Sequence, residues 1–288
     1  MEEFIVSFLL LILSAILLAI NFVFTKLFQL KEGTQFSTGM YFNAIIGIST
    51  AVVFFALNKF TFNLTLFSFV MALLQTTAIV SYTLIGFRIM AKENVSDYTF
   101  FLMTGGMIVP YIWGVVFLKE KITIFNILGL LLITVAVLLI NGNSKKTLKL
   151  KIMCGGIFLL NGIVSVTSKL HQINPKGISS TEFVILTSAI KGIICLIIFL
   201  FSCKKSKPKN IRINILLVIV LAAISNGISY FLQLNGASSL PATIVYPVVT
   251  GGTIIFTGIA GMICFKEKIT KKVAFGMGLC LIGTCFFL

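Results

Sequence analysis

The side chains of this chain that can do chemistry are isolated polar groups set in long apolar stretches. Ser14, Asn21 and Thr25 recur at i, i+7 and i+11. Asn161, Ser165 and Ser168 recur at i, i+4 and i+7, as do Asn226, Tyr230 and Gln233. Tyr246, Thr250, Thr253 and Thr257 extend that pattern to i+11, and Gln75/Tyr82 and Thr104/Tyr111 are pairs seven apart. Such spacing puts each set on one face of a helix. Amides, hydroxyls and phenols placed there can hydrogen-bond a small solute or fasten one helix to another. The candidate substrate-binding residues are Asn21, Gln75, Tyr82, Tyr111, Asn161, Asn226, Tyr230, Gln233, Tyr246 and Thr250. A lone Ser or Thr reads first as a fastener. Asn226, Tyr230 and Gln233 together need more partners than tight packing supplies.

The charges sit elsewhere. All eight acids (Glu2, Glu3, Glu32, Glu93, Asp97, Glu120, Glu182 and Glu267) fall at a terminus, in a loop or near the end of an apolar run. Lys26 and Lys169 hold matching places at the ends of two runs, where a lysine snorkels to headgroups or guards the mouth of a cavity. Pro110 and Pro247 each remove a backbone donor within a helix and are candidate hinges. These four form the candidate gating and cavity-mouth set. Lys191 lies deep in an apolar run and needs a partner or a cavity. No metal-ligand spacing occurs, so neither a metal nor another cofactor is expected, and the six cysteines read as small apolar residues. One histidine, His171, and scattered acids argue against a membrane enzyme, and no phosphate-binding loop is present.

The elements that position these groups follow from composition. The chain is 58% hydrophobic and 11% charged, with mean hydropathy +1.09. Soluble domains carry about 25% charged residues, so this one belongs in a bilayer. Apolar runs long enough to cross as helices cover 4–25, 36–57, 66–87, 95–118, 122–140, 152–171, 179–201, 213–234, 240–265 and 272–288. An all-α membrane protein of ten transmembrane helices is expected. The first run reads as a span rather than a cleaved leader, because Met1-Glu2-Glu3 is acidic and the run is long.

The chain also repeats itself. "FLKEKIT" (117–123) returns as "CFKEKIT" (264–270). Aligning "VSDYTFFLMTGG" (95–106) with "PATIVYPVVTGG" (241–252) sets Thr104-Gly105-Gly106 on Thr250-Gly251-Gly252. Trp113-Gly114 then falls on Ala260-Gly261 and Gly129 on Gly276, while "TKLFQ" (25–29) resembles "SKLHQ" (168–172). Residues 1–142 and 143–288 thus read as two five-helix repeats within one membrane domain. Five is odd, so the second copy enters the membrane inverted. The shared pentapeptide is the loop between the fourth and fifth helices, a solvated turn with Thr123 and Thr270 suited to N-caps.

Ten short spans, the five-plus-five duplication, GG…KEKIT…G closing each half and Pro247 in "VYPVVTGG" resemble the EamA-type branch of the drug/metabolite transporter superfamily. The resemblance implies a secondary transporter whose central cavity is lined by the first, third, fourth, sixth, eighth and ninth helices. Small multidrug antiporters of the same superfamily rely on a carboxylate in their first helix. Ser14 and Asn21 stand there in this chain, which argues against proton-coupled cation export of that kind.

The expected function is alternating-access transport of a small polar or amphipathic metabolite, with a lipid or lipid-linked-sugar translocator as the alternative. Expected partners are that small-molecule substrate and the lipid bilayer, with a homodimer left open. Nucleic acid is not expected despite a net charge of +15, since the lysines sit in short loops beside headgroups. Lysine far exceeds arginine, which fits an AT-rich bacterial genome and a plasma membrane. Odd-numbered loops hold 17 Lys and Arg against 5 in even ones, which places odd loops in the cytoplasm and both termini outside. Alkaline phosphatase fused after Leu288 is therefore expected to be active in a bacterial host, and inactive when fused after Lys151; the reverse pattern would invert the topology.

Overall fold

The computed structural model describes residues 2–33, 35–90, 95–141, 148–203, 213–266 and 270–288. Most of the linker-like stretch 141–151, the lysine cluster at 204–212, Glu93, and Glu267 with the rest of the second pentapeptide core lie outside the described residues. The described residues form ten helices: α1 (Glu2–Glu32), α2 (Phe36–Leu57), α3 (Leu66–Met90), α4 (Val95–Phe117), α5 (Ile124–Asn141), α6 (Leu148–Ile173), α7 (Ser180–Cys203), α8 (Ile213–Ser239), α9 (Ala242–Phe265) and α10 (Lys271–Cys285). They coincide with the ten expected elements; α1 and α8 run longer than expected. Seven are long and apolar enough to cross a membrane. The other three fall short: the described apolar parts of α4 and α5 are only Phe101–Phe117 and Ile124–Leu139, and α10 has 15 residues.

Local chemistry sets several ends. Thr270 caps α10, its hydroxyl accepting from the Val273 amide. Thr123 does the same for α5, accepting from Asn126 N–H while the Asn126 side chain accepts from the Thr123 amide and hydroxyl. Ser179 and Glu182 form a reciprocal capping box at α7: Ser179 Oγ accepts from Glu182 N–H, and the Glu182 carboxylate accepts from Ser179 N–H. The other carboxylate oxygen of Glu182 accepts from the backbone and side-chain amides of Asn63, tying the α2–α3 loop to α7. His171 is sealed between the rings of Phe67 and Phe183, with its ring nitrogens 2.9 Å from Ser68 Oγ and 3.0 Å from Gln172 Nε2. It is a packed and fully partnered residue.

The helices interleave across the middle of the chain. α1 packs on α8 and α9, while α6 packs on α3 and α4; α2 packs on α7, and α5 on α10. Exchanging α1–α5 with α6–α10 maps these pairings onto themselves. Close approach requires small residues. At the α2–α7 crossing, a Cβ on Gly47 would lie 2.7 Å from Gly192 Cα and from Ser188 O. At the α4–α6 crossing, a Cβ on Gly105 would run into the Phe158 backbone. Large apolar side chains such as Leu9, Val52 and Ile263 point outward, which suits lipid and not water.

Gly47→Val should lower the melting temperature of the purified protein, with a cost of about 1–3 kcal/mol from forced separation of α2 and α7. Gly155→Val is the control, since a Cβ there meets nothing within 4 Å and should leave the melt unchanged.

Candidate functional site

One face of α6 gathers side chains from α3, α8 and α9 and backbone carbonyls from α4. Asn161 Nδ2 donates to Leu102 O of α4 at 2.7 Å, and Ser165 Oγ donates to Gly106 O of α4 at 3.1 Å. The Tyr246 hydroxyl of α9 donates to Ser165 O. One turn on, Ser168 Oγ lies 3.2 Å from the Tyr230 hydroxyl of α8. Gln75 of α3 donates from Nε2 to the same hydroxyl at 2.6 Å. The bonds run in one direction: Gln75 N–H to Tyr230, Tyr230 O–H to Ser168, and Ser168 O–H to Val164 O.

This chain of donors ends in an unmatched atom. Gln75 is 1% exposed, and its Oε1 has no hydrogen-bond partner among the described residues. Turning the amide over would strand the NH2 in its place. A buried unpaired polar atom costs about 1–3 kcal/mol, so the site is built to accept one more donor. The Tyr111 hydroxyl and Thr257 Oγ1 are likewise buried without partners among the described residues.

The structure sorts the candidate binding residues into two groups. Asn21 donates to Ala222 O of α8 at 2.9 Å, and Asn161 and Tyr246 also end on backbone carbonyls of neighbouring helices. Ser14 and Ser229 fasten α1 to α8 reciprocally, each hydroxyl donating to the other's carbonyl at 2.9 and 2.8 Å. These are interhelical fasteners. Tyr82, Asn226, Gln233 and Thr250 are half-buried and make no side-chain hydrogen bond among the described residues. Asn226, Tyr230 and Gln233 share a face of α8, and Tyr230 carries that face to α3 and α6. Tyr111 belongs with Tyr246 to a core of α1, α4, α5, α8, α9 and α10, whereas Tyr82 packs with α6 around Cys154 and Ile157. Tyr246 lies close enough to Tyr230 to interact electrostatically, which joins the α9 and α8 residues along α6.

The four gating candidates are placed as follows. Lys169, 5% exposed, donates at 2.6 Å each to Ala237 O in the last turn of α8 and to Leu240 O just beyond its end. Lys26 stacks over the Phe265 ring, 4.4 Å from its centroid, at the end of α9. Pro110 and Pro247 are buried, and α4 and α9 run on through them.

A residue that spacing alone left as a turn proves to hold the α8–α9 corner. Glu120 Oε1 accepts from Ala242 N–H at 2.7 Å and Oε2 from Thr243 N–H at 2.9 Å, at the first turn of α9. Gly114 makes the room, since a Cβ there would lie 2.6 Å from Glu120 Oε2. A cation thus sits on the C-terminus of α8 and an anion on the N-terminus of α9, each where the helix dipole favours it. Lys169 and Glu120 are within electrostatic range of each other. The signal was present in the sequence as Gly114 and Glu120 recurring at the same spacing as Gly261 and Glu267.

The EamA-like transporter family model matches residues 151–288. No curated protein matches the sequence. One solved crystal structure is similar over 99% of this chain and 96% of its own, with TM-score 0.76 and 10% identity. That similarity is one of fold.

The α8–α9 corner can be measured directly. Glu120→Gln and Lys169→Met should each lower the melting temperature. The double variant should lose less than the sum, with a coupling of about 0.5–3 kcal/mol between residues that share one corner; strict additivity would show that the two caps act independently.

Proposed function

We propose that the whole chain is a ten-span secondary transporter built from two inverted five-helix repeats, a reading supported by the match of residues 151–288 to the EamA-like transporter family model. It is a multi-pass membrane protein, and its cargo is a small polar or amphipathic metabolite. The family match stops short of the first half, so the duplication rests on other observations. Helix pairings are preserved when the halves are exchanged, α1 against α8 and α9 answering α6 against α3 and α4. The lysine preceding each loop glutamate is left-handed in both copies, Lys119 at φ 53° and Lys266 at φ 52°. Inverted repeats of this kind support alternating access, with the cargo held between the halves.

The observation that carries the substrate reading is the Gln75–Tyr230–Ser168 node. It joins α3 of one half to α6 and α8 of the other, and it holds a buried amide atom with no partner among the described residues. In this reading the cargo supplies the missing donor and touches the free amides of Asn226 and Gln233. The fasteners Asn21 and Asn161 hold helices and do not select cargo. Lys26 and Lys169 lie toward opposite mouths, with odd-numbered loops in the cytoplasm of a bacterial plasma membrane.

The test is thermal stabilisation of the purified protein by amino acids, organic cations, nucleosides, sugars and lipid headgroups. Bound ligand raises the melting temperature by mass action. One class of water-soluble solute should do so. Its affinity should fall about tenfold in Tyr230→Phe, the equivalent of one neutral hydrogen bond, and Asn21→Ala should lower stability without changing affinity. A response confined to lipid headgroups would replace metabolite transport by lipid translocation.

A further inference from the structure

Lys191 stands near the middle of α7, eleven residues from Ser180 and twelve from Cys203. At 1.5 Å per residue it is roughly 16–18 Å from either helix end, beyond the reach of a snorkelling side chain. Its direction follows from its neighbours. Ile193, Ile197 and Leu200, at 55%, 47% and 59% exposure, mark the outer face of α7. Lys191 is on the opposite side. Cys195, one turn on, is buried with Met40 and Ala44 of α2 and Val80 of α3. Val184, two turns back, is buried with Ala72 of α3. Lys191 therefore faces α2 and α3, and it remains half-buried rather than closed over.

This lysine has no partner among the described residues: it makes no hydrogen bond and no ion pair, and the ionisable group it feels is the Cys195 thiol. Among the described residues, the half-buried Glu120 is engaged on the amides of α9 and the buried Glu182 on Ser179 and Asn63. Lys169 shows what a structural lysine is in this fold, with two carbonyls at 2.6 Å. Lys191 has none. A cation at mid-membrane is costly unless an anion or a wet cavity meets it.

We propose that Lys191 is the anchor for a carboxylate on the cargo, in a site between α7, α2 and α3 that adjoins the Gln75 node across α3. One ammonium neutralises one negative charge. A monocarboxylate leaves the site neutral, whereas a phosphate dianion would bury an unmatched charge. The proposal rests on the transporter reading above and narrows its substrate class to solutes bearing a single carboxylate.

The purified full chain is melted with acetate, lactate, benzoate and neutral amino acids, with the amide of each, and with inorganic phosphate. At least one carboxylate should raise the melting temperature, and its amide and phosphate should not. In Lys191→Met the melting temperature without ligand should be unchanged or higher, and the carboxylate affinity should fall by more than about tenfold. Lys191→Arg should keep the response. Where the Met variant does not fold, Lys191→Gln takes its place as the uncharged variant. A carboxylate response that survives in the uncharged variant overturns the proposal, as does stabilisation of the wild type only by solutes that lack a carboxylate; in both cases the transporter reading stands. A wild type that no solute stabilises overturns the transporter reading and this inference with it.

Discussion

The structure depends on the hydrogen bonds that α6 makes along one face in surroundings where water cannot replace them. Four other helices dock there: α4 through Asn161 and Ser165, α9 through Tyr246, and α3 and α8 through Gln75 and Tyr230 at Ser168. Apolar helices in lipid have little hydrophobic reason to prefer one neighbour over another, so directional bonds and small residues set the arrangement. The face that assembles the bundle also contains the Gln75–Tyr230–Ser168 node. A change in the angle of α6 would therefore alter helix packing and the node together.

Buried and half-buried charge is handled by the same economy of partners. Lys169 and Glu120 neutralise facing helix ends, and Glu182 completes the first turn of α7 while holding Asn63. Each of these groups meets the backbone, and none makes an ion pair among the described residues. Backbone amides and carbonyls at helix ends are the only polar partners that every helix brings into the membrane. Lys191, in mid-helix, has no such end within reach.

Much of this was legible in the sequence. Ten elements, their places and the polar face of α6 follow from hydropathy and from the i, i+4, i+7 spacing. The partners of those faces were not. Asn21 and Asn161 bond carbonyls of Ala222 and Leu102, and a carbonyl acceptor leaves no mark on residue type. Glu120 read as a solvated turn because α9 lies more than a hundred residues away in sequence. Only the Gly114 and Glu120 pair, repeated as Gly261 and Glu267, hinted at a carboxylate folded back into the structure. Tyr82 and Tyr230 were both binding candidates by spacing, yet the neighbour of each is set by which helix crosses it.

The interleaving of α1 with α8 and α9 has a consequence for biogenesis. The partners of Ser14 and Asn21 lie 215 and 201 residues further along the chain. At a synthesis rate of about 5–20 residues per second, α1 resides in the membrane on the order of ten to forty seconds before Ser229 and Ala222 exist. During that interval its polar face has only lipid, water defects or the insertion machinery as company. The first helix of the chain is thus among the last to find its native neighbours, and assembly waits on the ribosome rather than on packing.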